Sequence, residues 1–206
     1  MGLINRNYSS KSVLQKFPTV ISNFSKTLSG GKIENFLSNQ NQPLRAELYT
    51  TAQLETLAHK LAEKHIVFIE NANEGLLKRL SQNEVALLDA YQLLTESIKD
   101  NEAISPAGEW LMDNFYLIEE QIYTGKKHLP KGYSRGLPKL AKGSFVGLPR
   151  VYDLAVKIIS HSDGLVDMQS LRGFIAAYQK VSDLKIGELW AIPIMLRLAL
   201  IENLRR

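Results

Sequence analysis

The chain contains no cysteine among its 206 residues. Disulfide bonds, cysteine-ligated metal sites and cysteine nucleophiles are therefore excluded for this sequence. It also lacks a long apolar run, because the longest, LWAIPIML at 189–196, is stopped by Arg197. A bilayer-spanning helix needs about 20 apolar residues, so no transmembrane span is predicted. The start of the chain is polar and basic, without the apolar core that a secretory signal requires.

Acidic residues are missing from one internal segment, which lies between Glu120 and Asp153. The cations in that segment are Lys126, Lys127, Lys131, Arg135, Lys139, Lys142 and Arg150. Positive charge without a local counter-charge attracts anions. The segment therefore has two interpretations. The favoured one is a solvated connection whose prolines and leucines pack between helices.

The alternative interpretation is that the basic loop, residues 126–150, binds an anion, a glycan or a lipid headgroup. Aromatic residues interleaved with cations are typical of such sites, and Tyr133 and Phe145 lie in the loop. Nucleic acid is not an expected partner. The candidate binding residues are Lys131, Tyr133, Arg135, Lys139, Lys142 and Arg150.

Apolar residues recur at helical spacing from Thr50 onward, which predicts an all-α fold of about six or seven helices. Residues 1–48 form an extended, partly ordered N-terminal arm in this prediction, and residues 49–206 form the helical domain. The first helix is capped by Thr50 or Thr51 and carries one apolar face from Leu54 to Phe68. Two further helices are predicted at 76–80 and 87–98.

The clearest helix start is Ser105 followed by Pro106, a capping hydroxyl and a proline at the first helical position. That helix is predicted to run past Ile122 and to stop at Gly125. Three more follow the basic loop: 149–161, closed by Gly164, then 167–180, and then 186 to the end. No segment alternates with the period of two that a β-strand requires, so no sheet is predicted.

The last predicted helix has no glycine, proline or polar turn after its final residue, Arg206. Helices usually end with such a stop signal. Its apolar positions Leu189, Ile192, Leu196 and Leu200 need a partner surface. We therefore expect the helical domain to continue beyond the C-terminus in a longer parent protein; the alternative is a final helix docked on its own domain.

Few residues have the pattern of a catalytic or metal site. Glu109 and Asp113 share a helix face, as paired carboxylates of a glycoside hydrolase can, but a solvated face is the simpler interpretation. The same holds for the line of Glu55, His59 and Glu63, which has metal-ligand spacing. His65 lies in the apolar face and is interpreted as a hydrogen-bonded core histidine.

Several motifs that define nucleotide or acyl-transfer sites are absent from the sequence: a phosphate-binding loop, a GxSxG elbow and an Asp-x-Asp pair. We therefore expect no catalytic residue, no metal and no cofactor in this segment.

Five stretches resemble the N-terminal region of the cyclic β-1,2-glucan synthase family. They are EWLMDNFYLIEEQI (109–122), LPKGYSRGLPKL (129–140), GLPRVYDLA (147–155), RGFIAAYQ (172–179) and IGELWAIPIMLRLALIENLRR (186–206). A weaker match covers 44–62, so that about three quarters of the chain resembles the family. The first 43 residues show no resemblance.

The resemblance implies a parent of known type: a very large inner-membrane glycosyltransferase that uses UDP-glucose to build and close a β-1,2-linked glucan. Its transferase, transmembrane and phosphorylase-like parts lie further along such proteins. The resemblance thus implies that this segment supports or positions the transferase part without being catalytic alone. Its expected location is cytoplasmic, at the inner face of the inner membrane, with the remainder of the synthase as partner.

Overall fold

The computed structural model describes residues 47–69, 75–101, 103–129 and 133–206. The predicted N-terminal arm, residues 1–48, lies outside them except for its last two residues. The α-helices in the described part are α1 Thr51–Lys64, α2 Gly75–Lys99, α3 Pro106–Asp113, α4 Phe115–His128, α5 Arg150–His161, α6 Met168–Gln179 and α7 Ile186–Arg205. A 3-10 turn (Tyr133–Gly136) and the strands β1 (Val67–Phe68) and β2 (Lys139–Leu140) complete it.

These seven helices confirm the all-α prediction for the described residues. Helix α5 lies at the centre and is buried along almost its whole length. It packs mainly against α7, which also contacts α2 and α4, while α1 packs mainly against α6. The core is formed by apolar side chains from all of these helices except α3, including Leu54, Leu80, Ile122, Ile158, Phe174 and Met195.

Helix α1 begins where the sequence predicted. The Thr50 hydroxyl accepts a hydrogen bond from the Gln53 amide at 3.4 Å, and the Gln53 side chain accepts one from the Thr50 amide at 2.8 Å. Two of the otherwise unpaired amides of the first turn are thereby satisfied. The helix ends at Lys64, earlier than the apolar pattern up to Phe68 indicated.

The two helices predicted at 76–80 and 87–98 are one helix, α2. The residues at 81–84, between the two apolar groups, are polar. Asn83, in that interval, is buried, and its side chain donates to a carboxylate oxygen of Glu202 at 2.9 Å. This hydrogen bond of the Asn83 amide nitrogen, to a residue 119 positions away, accommodates the buried side chain within an uninterrupted helix.

The start at Ser105 and Pro106 is confirmed, because the Ser105 hydroxyl accepts a hydrogen bond from the Gly108 amide at 3.2 Å. The prediction of one helix through Ile122 is wrong, since the chain turns at Asn114 and begins α4 at Phe115. Gly125 does not stop α4 but lies buried within it. A methyl group there would lie 3.3 Å from Leu80 Cδ2, so glycine permits close packing of α4 on α2.

The prediction that no sheet exists is corrected by a small antiparallel pair, β1 with β2, in which Val67 lies opposite Leu140. The amide of Ala141 donates to the Ile66 carbonyl at 2.8 Å. Each strand has only two residues, too few to show an alternating pattern. The pair joins the end of α1 to the segment that precedes α5.

The final helix, α7, is docked on its own domain. Ala191, Met195 and Ala199 are completely buried, and Leu189, Ile192 and Leu196 pack partly buried against the core. Pro193 lies inside the helix on its exposed side. Most of these apolar positions thus have a partner surface within the domain, although Leu200 remains 44% exposed. The continuation of the domain in a longer parent stays a prediction.

Candidate functional site

The candidate binding residues of the basic loop fall into two groups in the structure, one internal and one exposed. Lys139 and Arg150 are buried, and Tyr133 is half-buried against the core. Arg135 and Lys142 are exposed. Lys131 lies outside the described residues. The structure therefore does not bring the predicted residues together on one surface.

Arg150 forms an ion pair with Glu188, which lies far along the chain. Its Nε donates to Glu188 Oε1 at 2.7 Å and its Nη2 to Oε2 at 2.8 Å. The Nη1 group donates to the Ser182 hydroxyl, and Nη2 also donates to the Asp183 carbonyl. The hydrogen bond to Glu188 raises the pKa of Arg150 above its usual value, although burial opposes this. The Arg150 guanidinium is therefore buried and hydrogen-bonded to other residues of the protein.

Other parts of the basic loop also acquire partners through the fold. Lys126 forms an ion pair with Glu84, so the absence of acidic residues in the local sequence does not mean absence of counter-charge. Phe145 is buried and contacts the Tyr152 ring edge-on, with centroids 5.3 Å apart. This aromatic residue is part of the core rather than of a ligand platform.

Arg135 and Lys142 are the remaining exposed candidates. They make no ion pair with any residue that the structure describes. The prediction that the basic loop binds an anion therefore stays a prediction. Within the described part, the exposed cations of the loop are these two together with Lys127 and the ion-paired Lys126.

A second buried charge cluster, at Glu202, was not predicted from the sequence. The Glu202 carboxylate accepts from Arg79 Nε at 2.8 Å, from Asn83 at 2.9 Å and from Arg206 Nε at 2.8 Å. Arg205 Nη2 lies 3.4 Å away. Burial acts to raise the Glu202 pKa, but the hydrogen bond and charge of Arg79, followed by Asn83 and Arg205, lower it to about 2.

The Glu202 cluster connects three helices. Its charged members come from α2 and α7, and the Glu202 carboxylate also accepts a long hydrogen bond from the Tyr152 hydroxyl of α5. Burial, and then the Glu202 charge, raise the pKa of the Tyr152 hydroxyl. The local sequence signal was only ENLRR, an acidic residue followed by two arginines. Nothing in it pointed to Arg79.

The His65 ring is hydrogen-bonded to a carboxylate through one nitrogen and to a hydroxyl through the other, the same sequence of groups as in catalytic triads. Its Nε2 lies 2.9 Å from Asp153 Oδ2 and its Nδ1 lies 2.9 Å from the Tyr178 hydroxyl. The side chains of His65 and Asp153 are only 6% and 10% exposed, and Tyr178 is completely buried. No substrate can reach that hydroxyl in this arrangement. The cluster therefore confirms the interpretation of His65 as a hydrogen-bonded core histidine.

The other candidate chemistry lies on the surface. Glu109 and Asp113 are both exposed on α3, and His59 and Glu63 form a loose contact of 3.4 Å with about half of each side chain exposed. Among the described residues, no three histidine or carboxylate side chains converge as a metal site would require. The solvated-face interpretation accounts for both groups.

None of the helices in the described part combines the length and the apolar character that crossing a bilayer requires.

Comparison with known proteins gives one informative match. The chain is 33% identical over 167 residues to the cyclic beta-(1,2)-glucan synthase NdvB of Rhizobium meliloti (strain 1021). The match covers 81% of this chain but only 6% of that relative. No family model matches the chain.

Proposed function

This chain is related to the cyclic β-1,2-glucan synthase family, and we propose that it is a non-catalytic helical segment that supports or positions the transferase part of such a synthase. The observation that carries the proposal is the 33% identity to the Rhizobium meliloti synthase across 81% of the chain. The parent would take UDP-glucose as donor, and this segment would lie at the cytoplasmic face of the inner membrane.

The charged residues inside the domain support a structural role. The two buried clusters, Arg150 with Glu188 and Glu202 with Arg79, hold α7 against α5 and α2. Buried, hydrogen-bonded ion pairs have restricted geometry and favour one arrangement of the helices. A rigid domain of this kind suits the positioning of a neighbouring catalytic part.

The proposal is tested by incubating the purified chain with labelled UDP-glucose and analysing the products for glucan. We expect no incorporation above a heat-denatured control. The Rhizobium meliloti synthase, assayed in parallel in its membrane fraction, controls for the reaction conditions. Glucan formed by the isolated chain would overturn the non-catalytic assignment.

A second test addresses the positioning role. The segment of the Rhizobium meliloti synthase that matches this chain is deleted, and glucan synthesis by the shortened protein is compared with that of the intact protein. We expect synthesis to fall severely although the transferase part is retained. Undiminished synthesis by a stably produced deletion protein would contradict the proposal.

The alternative function is an anion-binding module that uses the exposed cations of the basic loop. The supporting observation is that Arg135 and Lys142 are exposed and make no ion pair in the described part of the chain. The proper test is the double variant Arg135→Ala/Lys142→Ala, since replacing Arg150 would disturb the core. Binding to inorganic phosphate or to vesicles with anionic lipids should weaken with salt and be lost in this variant.

A further inference from the structure

One face of α7 is apolar and exposed. We call this face the outer stripe; its residues are Ile186, Trp190, Pro193, Arg197, Leu200 and Leu204. Ile186 is 71% exposed and Trp190 is 80% exposed, and the two leucines are 44% and 37% exposed. A tryptophan that is mostly in water on a well-formed helix is costly unless it has a partner.

The opposite face of the same helix is already buried, with Ala191, Met195 and Ala199 completely enclosed. Helix α7 is therefore apolar on both sides. Helices that are apolar all round are normally buried all round. The exposed face of α7, the outer stripe, thus has the composition of an interface rather than of a solvated surface.

The spacing along the outer stripe indicates the shape of the partner. Successive residues are separated by four, three, four, three and four positions. These intervals average 3.6 residues, so the six positions follow one face of α7 in a line along its axis, a ridge that fits the groove between the side chains of another helix. The stripe thus favours a second α-helix as its occupant.

Arg197 indicates the charge of that helix. It is the only charged residue in the outer stripe, and it makes no ion pair with any residue that the structure describes. A single charged residue in a helix seam selects the partner and the register. A second copy of the chain would bring two Arg197 side chains into one seam without a carboxylate, so a copy of this chain is a poor occupant.

We propose that the outer stripe is a docking seam for an amphipathic α-helix that carries apolar residues at the same repeat and a carboxylate placed opposite Arg197. The inference rests on the proposed function, because the helix would belong to the part of the synthase outside this chain. The related synthase offers ample sequence for it, since the match spans only 6% of that protein.

The test uses two synthetic peptides of about four heptads with leucine or isoleucine in the seam. One peptide has glutamate at a central seam position, and the matched peptide has lysine there. The chain has two tryptophans, so the variant Trp110→Phe leaves Trp190 as the only tryptophan reporter. We expect saturable binding of the glutamate peptide with a blue shift of Trp190 emission, and at least tenfold weaker binding of the lysine peptide.

Two substitutions in the chain make the test specific. Arg197→Glu should reverse the preference, so that the lysine peptide binds more tightly than the glutamate peptide. Trp190→Ala should weaken binding of the glutamate peptide at least tenfold, measured by calorimetry. Its matched control is Trp110→Ala, which removes the other exposed tryptophan, 53% exposed on α3, and should leave binding unchanged. Circular dichroism establishes that each variant is folded.

Several results would overturn the proposal. One is equal affinity for the two peptides; another is loss of binding in Trp110→Ala to the same extent as in Trp190→Ala. Sedimentation that shows a dimer of the chain, abolished by Trp190→Ala, would assign the stripe to a second copy instead. A Trp190 blue shift with phosphatidylglycerol vesicles and none with the peptides would assign it to lipid. The UDP-glucose and deletion assays do not use the peptides. A wrong docking proposal would therefore show only in the peptide-binding assay, and a wrong functional proposal only in the other two assays.

Discussion

Arg150 and Glu188 form a two-point ion pair between the start of α5 and the first turn of α7, with nitrogen–oxygen distances of 2.7 and 2.8 Å. Their side chains are 5% and 0% exposed. Glu188 also accepts a hydrogen bond from the Lys185 amide at 2.9 Å, so it caps its own helix. One carboxylate therefore starts α7 and fixes it to α5.

Replacing Glu188 by alanine should destabilise the domain by about 3–5 kcal/mol, because Arg150 is then left buried without a counter-charge. Urea unfolding followed by circular dichroism measures the change. The matched control is Glu63→Ala, which removes the exposed contact with His59 and should cost less than about 0.5 kcal/mol. A Glu188→Ala protein of unchanged stability would show that the pair does not hold the helices together.

Replacing both partners, as in Arg150→Met/Glu188→Met, should be much less harmful than Glu188→Ala alone. No charge is then left uncompensated, and apolar side chains of similar length fill the space. The same unfolding measurement gives the coupling between the positions in a double-mutant cycle. A double variant as unstable as the sum of the single variants would contradict this expectation.

The stability of the domain should fall in acid through Glu202. Its folded-state pKa of about 2 lies below its ordinary value of 4.5. A depressed carboxylate pKa stabilises the folded state fully above the unfolded value, and this contribution is lost as pH falls from 4.5 towards 2. The loss is on the order of 3 kcal/mol. Unfolding midpoints at pH 7, 5, 4 and 3 should show it.

Other carboxylates also titrate in that interval, so the comparison is with Glu202→Gln. The variant should be less stable than the natural protein at pH 7 and should show a shallower decline between pH 5 and pH 3. Parallel pH profiles for the two proteins would exclude Glu202 as the source of the acid sensitivity.

Removing the Tyr178 hydroxyl should destabilise the core by about 1–3 kcal/mol, because the Nδ1 atom of His65 loses its partner in a buried site. Tyr178→Phe keeps the ring and isolates this effect. Tyr116→Phe is the control, since Tyr116 is 65% exposed and its hydroxyl is free to bond water. Equal stability of the two variants would show that the hydrogen bond between His65 and the Tyr178 hydroxyl does not stabilise the core.

The end of α5 provides a backbone test. Gly164 has φ of +78°, and its amide donates to the Ile159 carbonyl at 3.1 Å. Alanine fits the available space but not this backbone conformation, so Gly164→Ala should cost about 1–2 kcal/mol. Gly136→Ala, where no neighbour lies within 4 Å, should change the thermal midpoint little. An unchanged stability of Gly164→Ala would contradict the argument that this left-handed backbone position requires glycine.

Local chemistry explains why the helix starts at Thr50, Ser105 and Asp167 could be predicted from the sequence. Each depends on a side chain that accepts a hydrogen bond from the amide three residues further on. The errors lay where distant residues decided the outcome. Two separate helices were predicted where α2 runs through Asn83, and a stop was predicted at Gly125, yet both positions are packed against residues from other helices.

In the basic loop, too, residues distant in the sequence decided whether the predicted binding residues are available. A gap in acidic residues along the sequence says nothing about acidic residues that the fold brings near. Arg150 meets Glu188, which is 38 positions away, and Lys126 meets Glu84, which is 42 away. Among the candidate cations that the structure describes, Arg135 and Lys142 have the exposed position that the binding interpretation needs.

The helical class, the main helix starts, the absence of thiol chemistry and the relationship to a family all follow from the amino-acid sequence. These depend on composition, on local hydrogen bonds and on residue identity over long stretches. Which charges are buried in pairs, which histidine is enclosed and which face of α7 is exposed became known only from the packing of the helices. Pairing and burial depend on distances between residues far apart in the chain, and a linear pattern does not contain those distances.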